Sequence, residues 1–292
     1  MDIAESIAGA VSERTGQGIR VLFEPEVGST NSALKRMIAS GRLDGPAILF
    51  AGHQTAGRGT RGRSWFQPPP PPGKAGQDVA ISLATPQDRS SLRDPRLSLA
   101  TAAIAAAAIE DAVSNLPDKP MSAFAVGVSW PNDLLAGAGG EWRKVGGILI
   151  ETVGPGKRRP GDAGQAPAER WLIIGIGVNV NSRRSDYPPE LAGSLTTIAS
   201  ELGTEVDLGI VQTALAVNLV SSLLGEMDIG ALMQDWMRRD RTTGTLYTLM
   251  RDGQAIEVTA RRINPSTGYL VCSDEQGKEY TVRSYRELEK KS

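Results

Sequence analysis

The chain holds one cysteine, Cys272, and one histidine, His53, in 292 residues. A lone cysteine excludes an intrachain disulfide and a cysteine-based zinc cluster. A lone histidine excludes a multi-histidine metal site and makes any Ser-His-Asp triad depend on His53. Neither sign of charge is in excess, with 32 Lys and Arg against 33 Asp and Glu, and aromatics make up only 5%. That balance argues against nonspecific nucleic-acid binding as the main task. No apolar run approaches the roughly 20 residues of a membrane-spanning helix. The N-terminus, Met1-Asp2-Ile3-Ala4-Glu5, is acidic and lacks a signal-peptide pattern. The expectation is a cytoplasmic protein with no membrane segment. Hydrophobic residues at 40% suffice for a sizeable core, and 292 residues suggest about two domains.

What the chain does have is an unusual loop, Gly57-Arg58-Gly59-Thr60-Arg61-Gly62-Arg63-Ser64-Trp65. Glycine allows close backbone approach and positive φ. Arginine offers a rigid fork of donors for carboxylate or phosphate. Trp65 offers a flat apolar face. The combination suits an anionic ligand with a planar part. Gly57, Gly59 and Gly62 match the dinucleotide fingerprint as a string, but that fingerprint must open a helix. Here Pro68 to Pro72 follow, and proline bars a helix. No Gly-Lys-Ser/Thr follows either, which excludes a Walker A loop.

Apolar periodicity predicts helices over residues 3–14, 31–40, 96–113, 207–224 and 229–239, and strands over 19–23, 47–51, 79–83, 124–128, 145–153 and 171–180. Residues 154–168, rich in Gly, Pro and Arg, read as a mobile surface loop. After Arg241 the pattern changes to four short strands, 246–250, 256–262, 269–273 and 280–283, separated by turn signals such as Asp252-Gly253 and Gln276-Gly277. They suggest a small closed β-barrel. The division expected is 1–240 and 241–292, an α+β chain with a C-terminal barrel.

Three stretches accompany the loop. Ser29-Thr30-Asn31 begins a predicted helix. It reads either as a simple N-cap or as part of a binding site using free N–H donors. Trp130-Pro131-Asn132-Asp133 ends a strand; it is an Asx-type turn or a carboxylate placed to hold Mg²⁺ beside phosphates. Lys144-Val145-Gly146-Gly147-Ile148-Leu149-Ile150-Glu151 puts a lysine at the start of an apolar strand. Its head either stays in water or meets an anion, and the two glycines leave backbone open to a ligand. Gly175 to Asn179 repeats that theme.

Together Ser29-Thr30-Asn31, Gln54 with the loop, Trp130 to Asp133, Lys144 to Glu151, and Gly175 to Asn179 resemble the biotin–protein ligases in order and spacing. So do Tyr187-Pro188-Pro189-Glu190-Leu191 and the C-terminal strands, so the resemblance covers nearly the whole chain. It implies a mixed sheet backed by helices, related to class II aminoacyl-tRNA synthetases, with an SH3-like C-terminal domain. It implies an ATP-dependent ligase that makes biotinyl-5′-AMP and pyrophosphate, then transfers biotin to a lysine of the biotin carboxyl carrier protein of acetyl-CoA carboxylase. By the same resemblance Ser29, Thr30, Asn31 and Gln54 hold the biotin ureido group, and Arg58, Gly59 and Thr60 lie over biotin and the acyl phosphate. Lys144 meets the carboxylate or acyl phosphate oxygens, so Arg58 and Lys144 are the catalytic candidates. Trp65, Asn132, Gly147 and Asn179 border the adenylate, and Asp133 is the Mg²⁺ candidate. The loop is expected to be open or disordered until ligand arrives. Such chemistry rests on charge neutralisation and positioning, and a poverty of His and Cys does not impede it.

The chain departs from the family at Thr60, where arginine is frequent, and at Ser129, where a lysine usually stands. Only 28 residues precede Ser29, which leads to the expectation of no winged helix-turn-helix and no specific DNA binding. Monomer and homodimer both remain open. The nearest rival is a lipoate–protein ligase, which shares fold and adenylate chemistry; the loop ending in Trp65 favours biotin. A rival of another class, an RNA-binding module built on the Arg-Gly loop, sits poorly with the charge balance and scarce aromatics.

Overall fold

The structure is a computed structural model, and it describes residues 3–74, 76–87, 94–116, 124–137, 141–154 and 170–290. The elements run α1 (Ile3–Thr15), β1 (Arg20–Val27), α2 (Thr30–Ala39), β2 (Ala47–Gln54), β3 (Val79–Gln87), α3 (Leu97–Ser114), β4 (Ala125–Ser129), β5 (Asp133–Gly137), β6 (Arg143–Val153) and β7 (Arg170–Val178). Then come α4 (Pro189–Ala192), α5 (Ile198–Leu202), α6 (Leu208–Leu224), α7 (Ile229–Arg239), β8 (Leu246–Arg251), β9 (Gln254–Ile263), β10 (Leu270–Ser273), β11 (Glu279–Val282) and β12 (Leu288–Lys290).

The first seven strands form one mixed sheet in the order β1-β2-β3-β7-β6-β5-β4, with only β1 and β2 parallel. The period-two alternation of each strand sorts its residues between two layers. Ile48 and Phe50 of β2, Ile81 and Leu83 of β3, and Leu172, Ile174, Ile176 and Val178 of β7 pack into the large core with α1, α3, α6 and α7. Leu49, Ala84, Trp171 and Ile173 face the other way, against Ala33, Leu34 and Ile38 of α2. That helix stops at Gly41, whose φ of 71° is left-handed, with Arg42 N–H bonded back to Met37 O at 2.9 Å. Asp207 and Asp228 cap α6 and α7 through Gly209 N and Ala231 N.

One expectation needs correcting. Helix α3 is long and apolar enough to cross a membrane, with mean hydropathy 1.4 over 18 residues, although 72% of that stretch is buried inside the protein. Its alanines let it lie close against the sheet, α6 and α7.

The C-terminal strands form a second, all-antiparallel sheet in the order β11-β10-β9-β8-β12. The predicted hairpin at Asp252-Gly253 is present, with φ of 52° and 77°, the sign that such two-residue turns need. The barrel expectation is met as far as this sheet; among the described residues no pairing joins β11 to β12. Of the segment 154–168, expected to be a mobile loop, residues 155–168 lie outside the described residues.

The two sheets share one core, in which Tyr247, Leu249, Val258 and Leu270 join residues of the first sheet. Trp130 is the joint. Its backbone N donates to Thr242 Oγ1 at 2.7 Å, and its Nε1 donates to Gly268 O at 3.0 Å.

Candidate functional site

A cavity of about 200 Å³ opens on the α2 face of the large sheet. Its origin is legible along β7. The residues facing α2 shrink from Trp171 and Ile173 to Gly175 and Gly177, so the sheet loses its side-chain cover there. Gly177 stands opposite Gly147 of β6, which widens the bare floor. Each glycine is occupied space: a Cβ on Gly175 would collide with Asn31 Oδ1, and one on Gly177 would sit 2.6 Å from Trp65 Cε2.

All the residues named from sequence as binding or catalytic line this cavity: Ser29, Thr30, Asn31, Gln54, Arg58, Gly59, Thr60, Trp65, Asn132, Lys144, Gly147 and Asn179. Asp133 does not; it stands beside the cavity, ion-paired to Lys144.

The closed end is polar and nearly dry. Ser29, Thr30 and Asn31 are 3%, 4% and 2% exposed. Gln54 Oε1 accepts from Thr30 N at 2.9 Å, and Ser82 Oγ lies 2.6 Å from Asn31 Oδ1 and 2.7 Å from Thr30 Oγ1. Ser82 has one proton, and Asn31 Oδ1 can only accept. Ser82 therefore donates to Asn31, and the one proton of the Thr30 hydroxyl is shared between Ser82 Oγ and Gln54 Oε1, the latter at 3.2 Å. Ser29 occupies the N-cap position, yet its hydroxyl makes no capping bond. The cap reading of Ser29 thus holds for the backbone only. Its hydroxyl, and the N–H groups of Gln54 Nε2, have no partner among the described residues. Buried polar groups are seldom left so, and these are offered to the cavity. Gln54 is held in turn by Gln67, whose Oε1 accepts from Gln54 N at 3.0 Å.

The glycine–arginine loop is a closed hairpin, contrary to the expectation of an open or disordered segment. Gly59 N donates to Arg63 O at 2.7 Å and Trp65 N to Gly57 O at 2.9 Å, with a bridge between Arg58 and Ser64. Arg61 and Gly62 both have positive φ, 64° and 75°. For arginine that costs about 1–2 kcal/mol. Its guanidinium lies 4.0 Å from the ring centre of Tyr285, a contact that offsets part of that cost and ties the loop to the C-terminal segment. Gly57 admits no side chain, because a Cβ would strike Trp65 O. The Trp65 indole lies against Gly177, with Lys144 Nζ 5.8 Å from its ring centre.

Of the three cations that line the cavity, Arg58, Arg63 and Lys144, Lys144 and Arg58 have acidic partners. Lys144 Nζ is 2.7 Å from Asp133 Oδ1, each side chain about a third exposed. Arg58 forks onto Glu151 at 3.2 and 3.1 Å. Asn132 Nδ2 donates to Ile148 O and Asn179 Nδ2 to Thr196 O. Both amides therefore brace the cavity wall, and their side-chain oxygens have no partner among the described residues.

Several contributors escaped sequence reading. Ser82 appeared only as one polar residue in an apolar strand. Asp78, 4% exposed, accepts from Val180 N at 2.8 Å, Ser182 N at 3.3 Å, the Ser182 hydroxyl and the Tyr187 hydroxyl. It clamps the segment that brings Tyr187 to the cavity, where Tyr187 packs on Phe66. Burial raises the Asp78 carboxyl above its usual range despite those donors. Glu151 was part of a quoted motif but had no role.

A family model described as the biotin/lipoate A/B protein ligase family matches residues 24–160. The bifunctional ligase/repressor BirA of Bacillus subtilis is 28% identical over 205 residues, 70% of this chain and 53% of that protein. The chain thus spans about half the length of that relative. The biotin–[acetyl-CoA-carboxylase] ligase of Mycobacterium tuberculosis is 32% identical over 209 residues, 68% of this chain and 66% of that protein. Among solved structures, the biotin protein ligase of Aquifex aeolicus in complex with biotin and ATP has a TM-score of 0.61 at 20% identity, covering 92% and 97% of the two chains; this supports the fold. The bifunctional ligase/repressor BirA of Salmonella typhimurium is 30% identical over 252 residues, 86% of this chain and 68% of that protein. With the site geometry, these similarities establish that the chain belongs to the biotin/lipoate A/B protein ligase family.

Proposed function

We propose that the chain is a biotin–protein ligase. One observation carries the reading: a single cavity joins a dry hydrogen-bonding box, three cations (Arg58, Arg63 and Lys144) and a tryptophan on a glycine floor. A ureido group presents one acceptor and two donors, which the Ser29, Thr30, Asn31 and Gln54 box complements. In the first step the biotin carboxylate attacks the α-phosphate of ATP, the bond to the β-phosphate breaks, and pyrophosphate leaves. Two anions must meet, so Arg58 and Lys144 neutralise charge and hold the reacting oxygens in line. Gly59 and Thr60 close over them, while Trp65, Asn132, Gly147 and Asn179 border the adenine. In the second step a carrier lysine, as its free amine, attacks the acyl carbon and AMP departs. The carrier is the biotin carboxyl carrier protein of acetyl-CoA carboxylase or a related carboxylase.

Among the described residues no group of three or more His, Cys, Asp or Glu could cage a metal. A lone carboxylate at the cavity edge fits Mg²⁺ carried mainly by phosphates. Asp133 would hold it, and the ion would supply further charge neutralisation on those phosphates. The same reading assigns residues 1–240 to catalysis and 241–292 to an SH3-like barrel, and places the enzyme in the cytoplasm.

Incubation with ATP, Mg²⁺, biotin and a biotin carrier domain is expected to add one biotin mass to the carrier lysine, whereas lipoate adds none. An unlabelled carrier, or lipoylation, overturns the reading. A second outcome concerns Thr60, which lines the cavity where relatives often carry arginine. A charge-assisted contact contributes about 1.5–3 kcal/mol, so Thr60→Arg is expected to slow release of biotinyl-AMP, measured without carrier, by about tenfold or more. Equal release rates remove Thr60 as a determinant of adenylate retention.

A further inference from the structure

Glu151 takes no part in the two steps above, yet it ties three site elements together. It ends the apolar run of β6, and its side chain is 15% exposed. Oε2 accepts from Asn31 Nδ2 at 3.0 Å, Oε1 meets Lys35 Nζ at 2.5 Å, and both oxygens face the Arg58 fork. One carboxylate thus joins β6, two successive turns of α2 and the glycine–arginine loop.

A negative charge beside a site for anions opposes binding unless it serves another purpose. Burial alone would raise the Glu151 carboxyl; hydrogen bonds from Lys35 and Asn31, with the charges of Lys35 and Arg58, outweigh it and hold the group below the usual carboxylate range. It is therefore an anion at neutral pH.

Two consequences follow from the geometry. First, Asn31 is an amide whose two ends differ in hydrogen-bonding sense. Glu151 and Leu149 O take its N–H bonds, and Ser82 supplies a proton to its oxygen. Glu151 thereby sets which end of Asn31 faces which neighbour. Second, Glu151 uses two nitrogens of Arg58 and aims the guanidinium across the cavity mouth, where the remaining N–H groups stay available. Arg58 is otherwise exposed, at 45%, and on a free loop would sample many rotamers.

We propose that Glu151 is a positioning residue that couples the closed polar end of the cavity to the arginine at its mouth. Through it, order at Asn31 and placement of Arg58 depend on one another. The proposal rests on the biotin-ligase reading and adds to it a residue that touches neither reacting atom.

The test compares wild type, Glu151→Gln, Glu151→Asp, Arg58→Ala and the double variant Glu151→Gln/Arg58→Ala in biotin-dependent ATP–pyrophosphate exchange. Thermal unfolding confirms that each is folded. Glutamine keeps the shape but turns an N–H₂ toward donors. Expected are about a tenfold rise in the KM for biotin and about a tenfold fall in kcat for Glu151→Gln. The charge-retaining Glu151→Asp is expected to recover part of both, and it carries the test if Glu151→Gln does not fold. Because the kcat loss acts through Arg58, the double variant should have the kcat of Arg58→Ala alone. The proposal is overturned by a Glu151→Gln enzyme within twofold of wild type, by Glu151→Asp no better than Glu151→Gln, or by losses in kcat that multiply in the double variant. Failure of wild type to exchange with biotin would instead reject the ligase reading, so the two failures are distinct.

Discussion

Replacing Lys144 by alanine is expected to lower the rate of adenylate formation about 100- to 1000-fold while changing biotin affinity only a few-fold. Lys144 is held in β6 by its backbone, whose N donates to Ser194 O at 3.1 Å and whose O accepts from Thr196 N at 2.8 Å. The substitution therefore removes an ammonium without moving the strand. One preorganised donor aimed at developing charge contributes about that factor in other acyl and phosphoryl sites. Lys144→Arg restores the charge but not the compact ammonium geometry, and should recover part of the rate. ATP–pyrophosphate exchange gives the rate and titration calorimetry gives the biotin affinity. A Lys144→Ala enzyme with near-normal exchange would exclude a catalytic task for this lysine.

The second large effect is on stability. Asp78→Ala is expected to cost about 3–5 kcal/mol, because it strands buried donors: the N–H groups of Val180 and Ser182 and the hydroxyls of Ser182 and Tyr187. Asp78→Asn keeps the shape and one acceptor oxygen, so it should cost less. Urea unfolding midpoints decide the order; a loss under 1 kcal/mol for alanine would show that the clamp is dispensable. The pH dependence has a definite sign. Burial raises the Asp78 carboxyl in the folded chain. Its titration therefore contributes stability that is full below the unfolded pKa and is lost as pH rises through the folded one. Glu151 runs the other way: its lowered pKa gives stability above the unfolded value that is lost as pH falls through the folded one.

Periodic elements were readable because their burial is one-sided or complete. The apolar run of β7 and the alanines of α3 announce themselves. Strand β5 was not, since it begins at Asp133 within a Pro-Asn-Asp turn signal, and β12 has only three residues. In the site, residues that break a pattern were visible: glycines in apolar strands, a lysine at a strand entrance, arginines among glycines. Their convergence was carried by family resemblance. Ser82 and Asp78 broke no pattern strongly enough, for a serine in a strand and an aspartate before one are ordinary. What marks them is a partner far along the chain, Asn31 for Ser82 and Ser182 for Asp78. The closed state of the loop depends likewise on Tyr285 and Gly177, which no local window contains.

The paired glycines of the floor carry a thermodynamic consequence. Where Gly147 faces Gly177 across β6 and β7, bare peptide held in a central sheet leaves the space that the Trp65 indole occupies. An indole seated against such a floor has little rotamer freedom left to lose when a ligand settles beside it, whereas immobilising a free side chain costs about 0.5–1.5 kcal/mol. The ordering penalty for that part of the site is met when the chain folds, once, rather than at every turnover.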